Sequence, residues 1–124
     1  MKKMSETIGD FLDLLDDARK KYDWAYEQVG IEDKRSVDLE HAIEFTDDPE
    51  KLLDYAKRLH QCRVDRRDYK DIVGQTYIIN YWADKNAISI NYLRETLGRL
   101  RQEEQNQQSR VYSPRVESEE LFES

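Results

Sequence analysis

The sequence predicts an all-α protein, and three observations carry that reading. The 124 residues include only 4 Gly and 2 Pro, too few for a many-turned β fold. Apolar residues recur at spacings of three and four over long stretches, which is the period of one helix face. Charged and hydrophobic residues each make up 38% of the chain. That ratio suits long, exposed or paired helices better than a compact monomer. At this length one domain is the default. The predicted division is a single helical domain over 1–108 and a C-terminal tail over 109–124.

The first predicted helix runs from about Ser5 to Val29. Ile8, Phe11, Leu12, Leu15, Ala18, Tyr22, Ala25, Tyr26 and Val29 form one apolar stripe along it. Ser5 or Thr7 is the candidate N-cap, and Gly30 stands where a C-terminal glycine ends a helix. "IEDKRS" reads as a turn, and "VDLEHAIEF" as a short helix or, as the lesser alternative, a strand. "TDDPEKLL" is the clearest boundary. Asp48 is an N-cap candidate, Pro49 sits where no N–H is needed, and Glu50 complements the positive helix end. From Pro49 a helical pattern continues to about Ala83. Gly74 lies inside it and suggests a close crossing or a kink. "WADKNAISI" breaks the pattern and reads as a hairpin turn. A last helix is predicted from about Ser89 to Gln107, burying Ile90, Leu93, Leu97 and Leu100. The full prediction is a long helical hairpin with an N-terminal amphipathic helix. At 1.5 Å per residue the Pro49–Ala83 helix would be about 50 Å long. That exceeds what this chain covers alone, so the helices are expected to pair with a second copy.

The net charge of −7 argues against general nucleic-acid affinity, because phosphate binding needs local cations. No stretch approaches the ~20 apolar residues of a membrane span. "MKKMSETIGD" lacks the apolar core of a signal peptide, which points to the cytoplasm. Cys62 is the single cysteine, so no internal disulfide or paired-cysteine metal site is expected. His41 and His60 with scattered carboxylates make no metal pattern. There is no HExxH, no Gly-rich phosphate loop and no nucleophile–base order. A non-enzymatic binding protein without cofactor or metal is the expectation.

Three groups of residues stand out. Arg63, Arg66, Arg67 and Lys70 share one helix face at i, i+3, i+4 and i+7. Asp38, His41 and Glu44 upstream suggest an ionic seam with them, while arginine's planar fork also suits phosphate at Arg63 or Arg67. "IINYWADKNAISINY" is dense in aromatics and amides, including Trp82 and Asn91. That composition serves either a packed helix end or a base-binding pocket. The tail holds Arg110, Tyr112, Pro114 and Arg115. Two guanidiniums around one aromatic ring, stiffened by proline, would make a clamp for a phosphate-bearing ring. Residues 109–116 are therefore a candidate clamp, and 117–124 are acidic and expected to be flexible.

Read together, "DLEHAIEF", "RLHQCRVDRRDYKD", "LGRLRQ" and "RVYSPRV" resemble small phage-encoded helical proteins of the first-described Thoeris anti-defence family. The resemblance spans about Val37 to Val116. It implies a dimeric or larger sponge that sequesters a cyclic ADP-ribose-type immune signal, with cyclic oligonucleotides held at a separate site in some members. It also implies binding through an aromatic and an Asn near a hairpin end, matched by Trp82 and Asn91, and through C-terminal arginines, matched by Arg110 and Arg115. The acidic "ESEELFES" has no counterpart there. Trp82 and Tyr112 would stack on a base, Asn91 would read an edge, and Arg110 and Arg115 would hold phosphates. One rival reading, from the net charge of −7 and the acidic residues clustered on the first helix, is an acidic protein that inhibits a host protein, acting as a nucleic-acid mimic; another is a plain scaffold or assembly protein.

Overall fold

The structure, a computed structural model, describes residues 1–110, and these form three helices. Helix α1 spans Met4–Phe45, α2 spans Pro49–Lys85 and α3 spans Ala87–Gln108. Their 42, 37 and 22 residues correspond to lengths of about 63, 55 and 33 Å.

The chain reverses at Thr46–Asp48. Asp48 accepts from the Glu50 N–H at 3.0 Å and Pro49 opens α2, so the predicted start of this helix holds. The contacts then run in opposite order along the two helices. Arg63 meets Glu40, Cys62 meets Glu32, Trp24 packs edge-on against Tyr69, and Asn80 reaches the backbone of Ala18. Along α2, Leu52, Tyr55, Leu59, Cys62, Arg66, Tyr69, Val73, Thr76, Asn80 and Ala83 are all buried or half-buried, and their spacings alternate between three and four. Along α1 the matching series is Ile8, Leu12, Leu15, Ala18, Tyr22, Ala25, Val29, Glu32, Ser36, Leu39 and Ile43. A 3.5-residue repeat keeps one seam facing its partner, as in an antiparallel coiled coil.

Four expectations are corrected here. Gly30 does not end α1, and "IEDKRS" is helical. No glycine has positive φ, so no left-handed cap forms at Gly30. The reason is tertiary: Glu32 is buried against Cys62, and Asp33 pairs with Arg66 of α2. Second, neither Ser5 nor Thr7 caps α1. Its N-cap is Lys3, and the Ser5 hydroxyl donates to Glu104 of α3 at 2.6 Å. Third, "WADKNAISI" does not turn the chain back. Arg94 meets Asp16 and Glu104 meets Ser5, so α3 runs opposite to α1, as α2 does. Only Asn86 separates the two helices. Its N–H is shared between the Trp82 and Ala83 carbonyls, and its side-chain amide donates to the Trp82 carbonyl at 2.8 Å. A local side-chain bond of this kind competes with helix continuation. Fourth, the ionic seam uses Asp33 and Glu40, while His41 and Glu44 face each other within α1.

The core is thin. Leu12 and Leu15 of α1, Ala83 of α2, and Ile90 and Leu97 of α3 form its buried cluster, with Leu93 half-buried beside them. The buried face predicted for α3 is the observed one. Farther along the seam, a polar group replaces apolar packing. The Cys62 thiol donates to a Glu32 carboxylate oxygen at 2.8 Å, and Arg35 holds the other oxygen. Burial, and then this bond to Glu32, push the thiol pKa above its ordinary value, so the sulfur stays protonated and donates. Cys62→Ala should destabilise the protein by ~1–3 kcal/mol, because a buried carboxylate loses a donor. Cys62→Ser keeps a donor and should cost less. Chemical denaturation of the two variants checks the order.

The Cβ that alanine would add at Gly30 or Gly74 meets nothing within 4 Å, and α2 is unbroken at Gly74. Gly30→Ala and Gly74→Ala should therefore each stabilise by up to ~1 kcal/mol, read as a higher Tm. A lower Tm for Gly74→Ala would mean that another surface closes on that position.

Candidate functional site

Two open clefts contain Asn91 and the Arg63–Lys70 row. The first lies where α1, α2 and the start of α3 meet, and has a volume of about 420 Å³. Its floor is Leu15, Ala83, Ala87 and Ile90, and its rim is Asn91, Arg94, Arg19, Lys20, Asp16 and Asp84. Asn91 and Arg94 stand three apart on α3, so they share a face. Arg19 and Lys20 come from α1. The Arg19 guanidinium donates to Asp84 at 2.6 Å, and Arg94 donates to Asp16 at 3.1 Å. The bond to Asp84 raises the Arg19 pKa, and Arg19 in turn holds the Asp84 carboxyl below the usual carboxylate range. Above that range the pair is charged on both sides. Its contribution is lost as pH falls through the lowered Asp84 value.

An apolar floor with convergent donors is what a small-molecule site requires. Asn91 is the one proposed ligand contact that this cleft contains. Trp82 lies outside its lining and packs edge-on against Phe11, with ring centroids 6.2 Å apart. Arg110 stands just past the end of α3, 19 residues beyond Asn91. That is about 28 Å along the helix. Tyr112 and Arg115 lie outside the described residues. Arg19, Lys20 and Arg94 escaped sequence reasoning. Only the i, i+3 spacing of Asn91 and Arg94 hinted at the cluster, because nothing local says that α3 lies along α1.

The second cleft, about 560 Å³, lies between α1 and the middle of α2. Asp33, Ser36, Arg63, Arg66, Arg67, Lys70 and Asp71 line it. The four cations predicted to share a face do share it. Arg63 pairs with Glu40 at 3.4 Å and Arg66 with Asp33. Neither Arg67 nor Lys70 has an ion-pair partner among the described residues.

Among the described residues, no helix is long and apolar enough to cross a membrane, and no group of His, Cys, Asp and Glu is placed to hold a metal. Comparison with protein-family models, with curated proteins and with solved structures gave no match.

Proposed function

We propose that this protein is a phage-encoded, non-catalytic sponge that binds and sequesters a cyclic ADP-ribose-type signal in the cytoplasm of an infected bacterium. The observation that supports it most is the Asn91 cleft: an apolar floor rimmed by an amide, by three cations and by the two carboxylates that pair with Arg19 and Arg94, within a chain of net charge −7. The floor accepts a ring, Asn91 reads a polar edge, and Lys20 and Arg94 face phosphate. Phage origin and the identity of the signal come from the resemblance carried by "DLEHAIEF" to "RVYSPRV".

The tail clamp requires a second copy under this reading. Five residues from Arg110 to Arg115 span at most ~18 Å between Cα atoms. That falls short of the ~28 Å from Arg110 to Asn91 along α3. A copy in which α3 ends near its neighbour's cleft would bring Arg110, Tyr112 and Arg115 to the ligand. An exposed apolar face supports dimerisation. Phe11, Leu14, Ile78 and Trp82 are 39%, 52%, 69% and 47% exposed. Phe11 and Trp82 touch, and Ile78 and Trp82 stand four apart on one face of α2. Light scattering should give about twice the 14.9 kDa chain mass. Ile78→Asp should halve it without loss of helical circular dichroism. A monomer mass for the parent at micromolar concentration would defeat the dimer.

Ligand binding is tested by calorimetric titration with cyclic ADP-ribose isomers. Arg94→Gln should weaken binding by about ten- to a hundredfold, the cost of one charge-assisted contact of ~1.5–3 kcal/mol. Arg58→Gln, on a remote exposed turn of α2 paired with Asp54, should leave it unchanged. If the parent binds none of these ligands, the sponge reading gives way to the acidic inhibitor of a host protein.

A further inference from the structure

The second cleft has a composition and a hydrogen-bond arrangement of its own, and it does not depend on the signal-binding reading. Arg19 of the first cleft and Ser36 of the second are 17 residues apart on α1, about 25 Å along the helix. One small ligand does not bridge them.

Within the second cleft, four cations face two carboxylates, Asp33 and Asp71. Arg63 and Arg66 are tethered to α1 through Glu40 and Asp33, which fixes the wall of the cleft. Arg67 and Lys70 have no such tether, and both are exposed. A guanidinium and an ammonium three residues apart, on a face already cationic, repel each other unless an anion sits between them. Ser36 supplies a further donor. The Cys62 sulfur lies 2.8 Å from Glu32 and 3.2 Å from the Ser36 hydroxyl. A thiol has one hydrogen, and its raised pKa with the Glu32 contact commits that hydrogen to the carboxylate. The Ser36 hydroxyl is therefore the donor of its pair. Sulfur is a weak acceptor, so turning this hydroxyl to a better one costs little.

We propose that Ser36, Arg63, Arg66, Arg67 and Lys70 form a binding site for a condensed phosphate, a chain of two or more phosphoryl groups. Length selects the class. Arg63 and Lys70 are seven residues apart on α2, about 10.5 Å along the axis. A single phosphate touches one turn of this row. A single phosphate can meet Arg67 and Lys70, which share that turn; a diphosphate or triphosphate extends from them toward Arg63 on the turn before. Guanidinium forks recognise each phosphoryl group through paired N–H donors.

The experiment is calorimetric titration of the full chain with orthophosphate, pyrophosphate and tripolyphosphate at fixed ionic strength. Affinity should rise along that series. The double variant Arg67→Gln, Lys70→Gln should lower tripolyphosphate affinity at least tenfold while keeping the parent's circular dichroism and Tm. Ser36→Ala should lower it by a smaller factor. Arg58→Gln removes a cation from the same helix outside the cleft and should leave tripolyphosphate binding unchanged. Equal affinity for the three anions, no binding of any of them, or equal losses from Arg58→Gln and from the double variant would overturn the proposal. None of those outcomes bears on cyclic ADP-ribose binding, which the Arg94→Gln titration reads separately.

Discussion

The antiparallel seam between α1 and α2 is the constraint on which the rest of the molecule depends. Among the described residues no large side chain is fully buried, and both clefts are furrows beside this one seam. A seam of this kind is fixed by register more than by bulk hydrophobicity. A slide by one heptad would leave a purely apolar seam nearly as well packed. Here the seam contains Glu32, Ser36, Cys62, Thr76 and Asn80 among its aliphatic residues. Only one register pairs Cys62 with Glu32 and sets the Asn80 amide against the Ala18 carbonyl. Asn80 also leaves its own carbonyl oxygen unsatisfied, a cost of ~1–3 kcal/mol in a buried position. Polar residues at seam positions trade stability for a defined pairing.

The parts of the fold legible in the sequence were those written in local chemistry. Asp48-Pro49-Glu50 encodes a helix start in three adjacent residues, and the observed cap is the one those residues imply. The face of α3 follows from the spacing of Ile90, Leu93, Leu97 and Leu100. What misled was local chemistry that distant contacts override. Gly30 and the polar run "IEDKRS" look like a helix end, yet Glu32 and Asp33 are held by α2 residues 30 and 33 positions away. Gly30 costs α1 up to ~1 kcal/mol relative to alanine, and the packing of four further turns against α2 outweighs that. Direction was illegible for a similar reason. A one-residue break at Asn86 is compatible with a reversal or with a kink, and the choice rests on Arg94 finding Asp16 and Glu104 finding Ser5.

The candidate sites divide in the same way. The Arg63–Lys70 row was visible because one helix carries all of it at helical spacing. The Asn91 cleft was only partly visible because three elements build it: Lys20 and Arg19 gain meaning only once α3 lies across α1. The aromatic and amide density around Trp82 and Asn91 suggested one pocket, but the break at Asn86 separates them. Trp82 turns to Phe11 and Asn91 to the cleft.

Electrostatic pairing ranks the cations that remain available to an anion. Arg19 donates to Asp84, and that carboxyl is held below its ordinary range, so the pair stays intact at neutral pH and well into acid. A ligand phosphate that approaches Arg19 competes with a carboxylate already in place, and the exchange returns little net affinity. Arg94 is held more loosely, by one 3.1 Å bond to Asp16 between exposed side chains, so exchanging that bond for a ligand phosphate costs little. Lys20 has no ion-pair partner among the described residues and keeps its full charge for a ligand. In the second cleft the same division falls between tethered Arg63 and Arg66 and untethered Arg67 and Lys70. Both clefts thus combine cations that are fixed in place by carboxylates with cations that are not. The first kind shapes the wall, and the second kind supplies the attraction. An acidic body of net charge −7 thus places cations at two furrows.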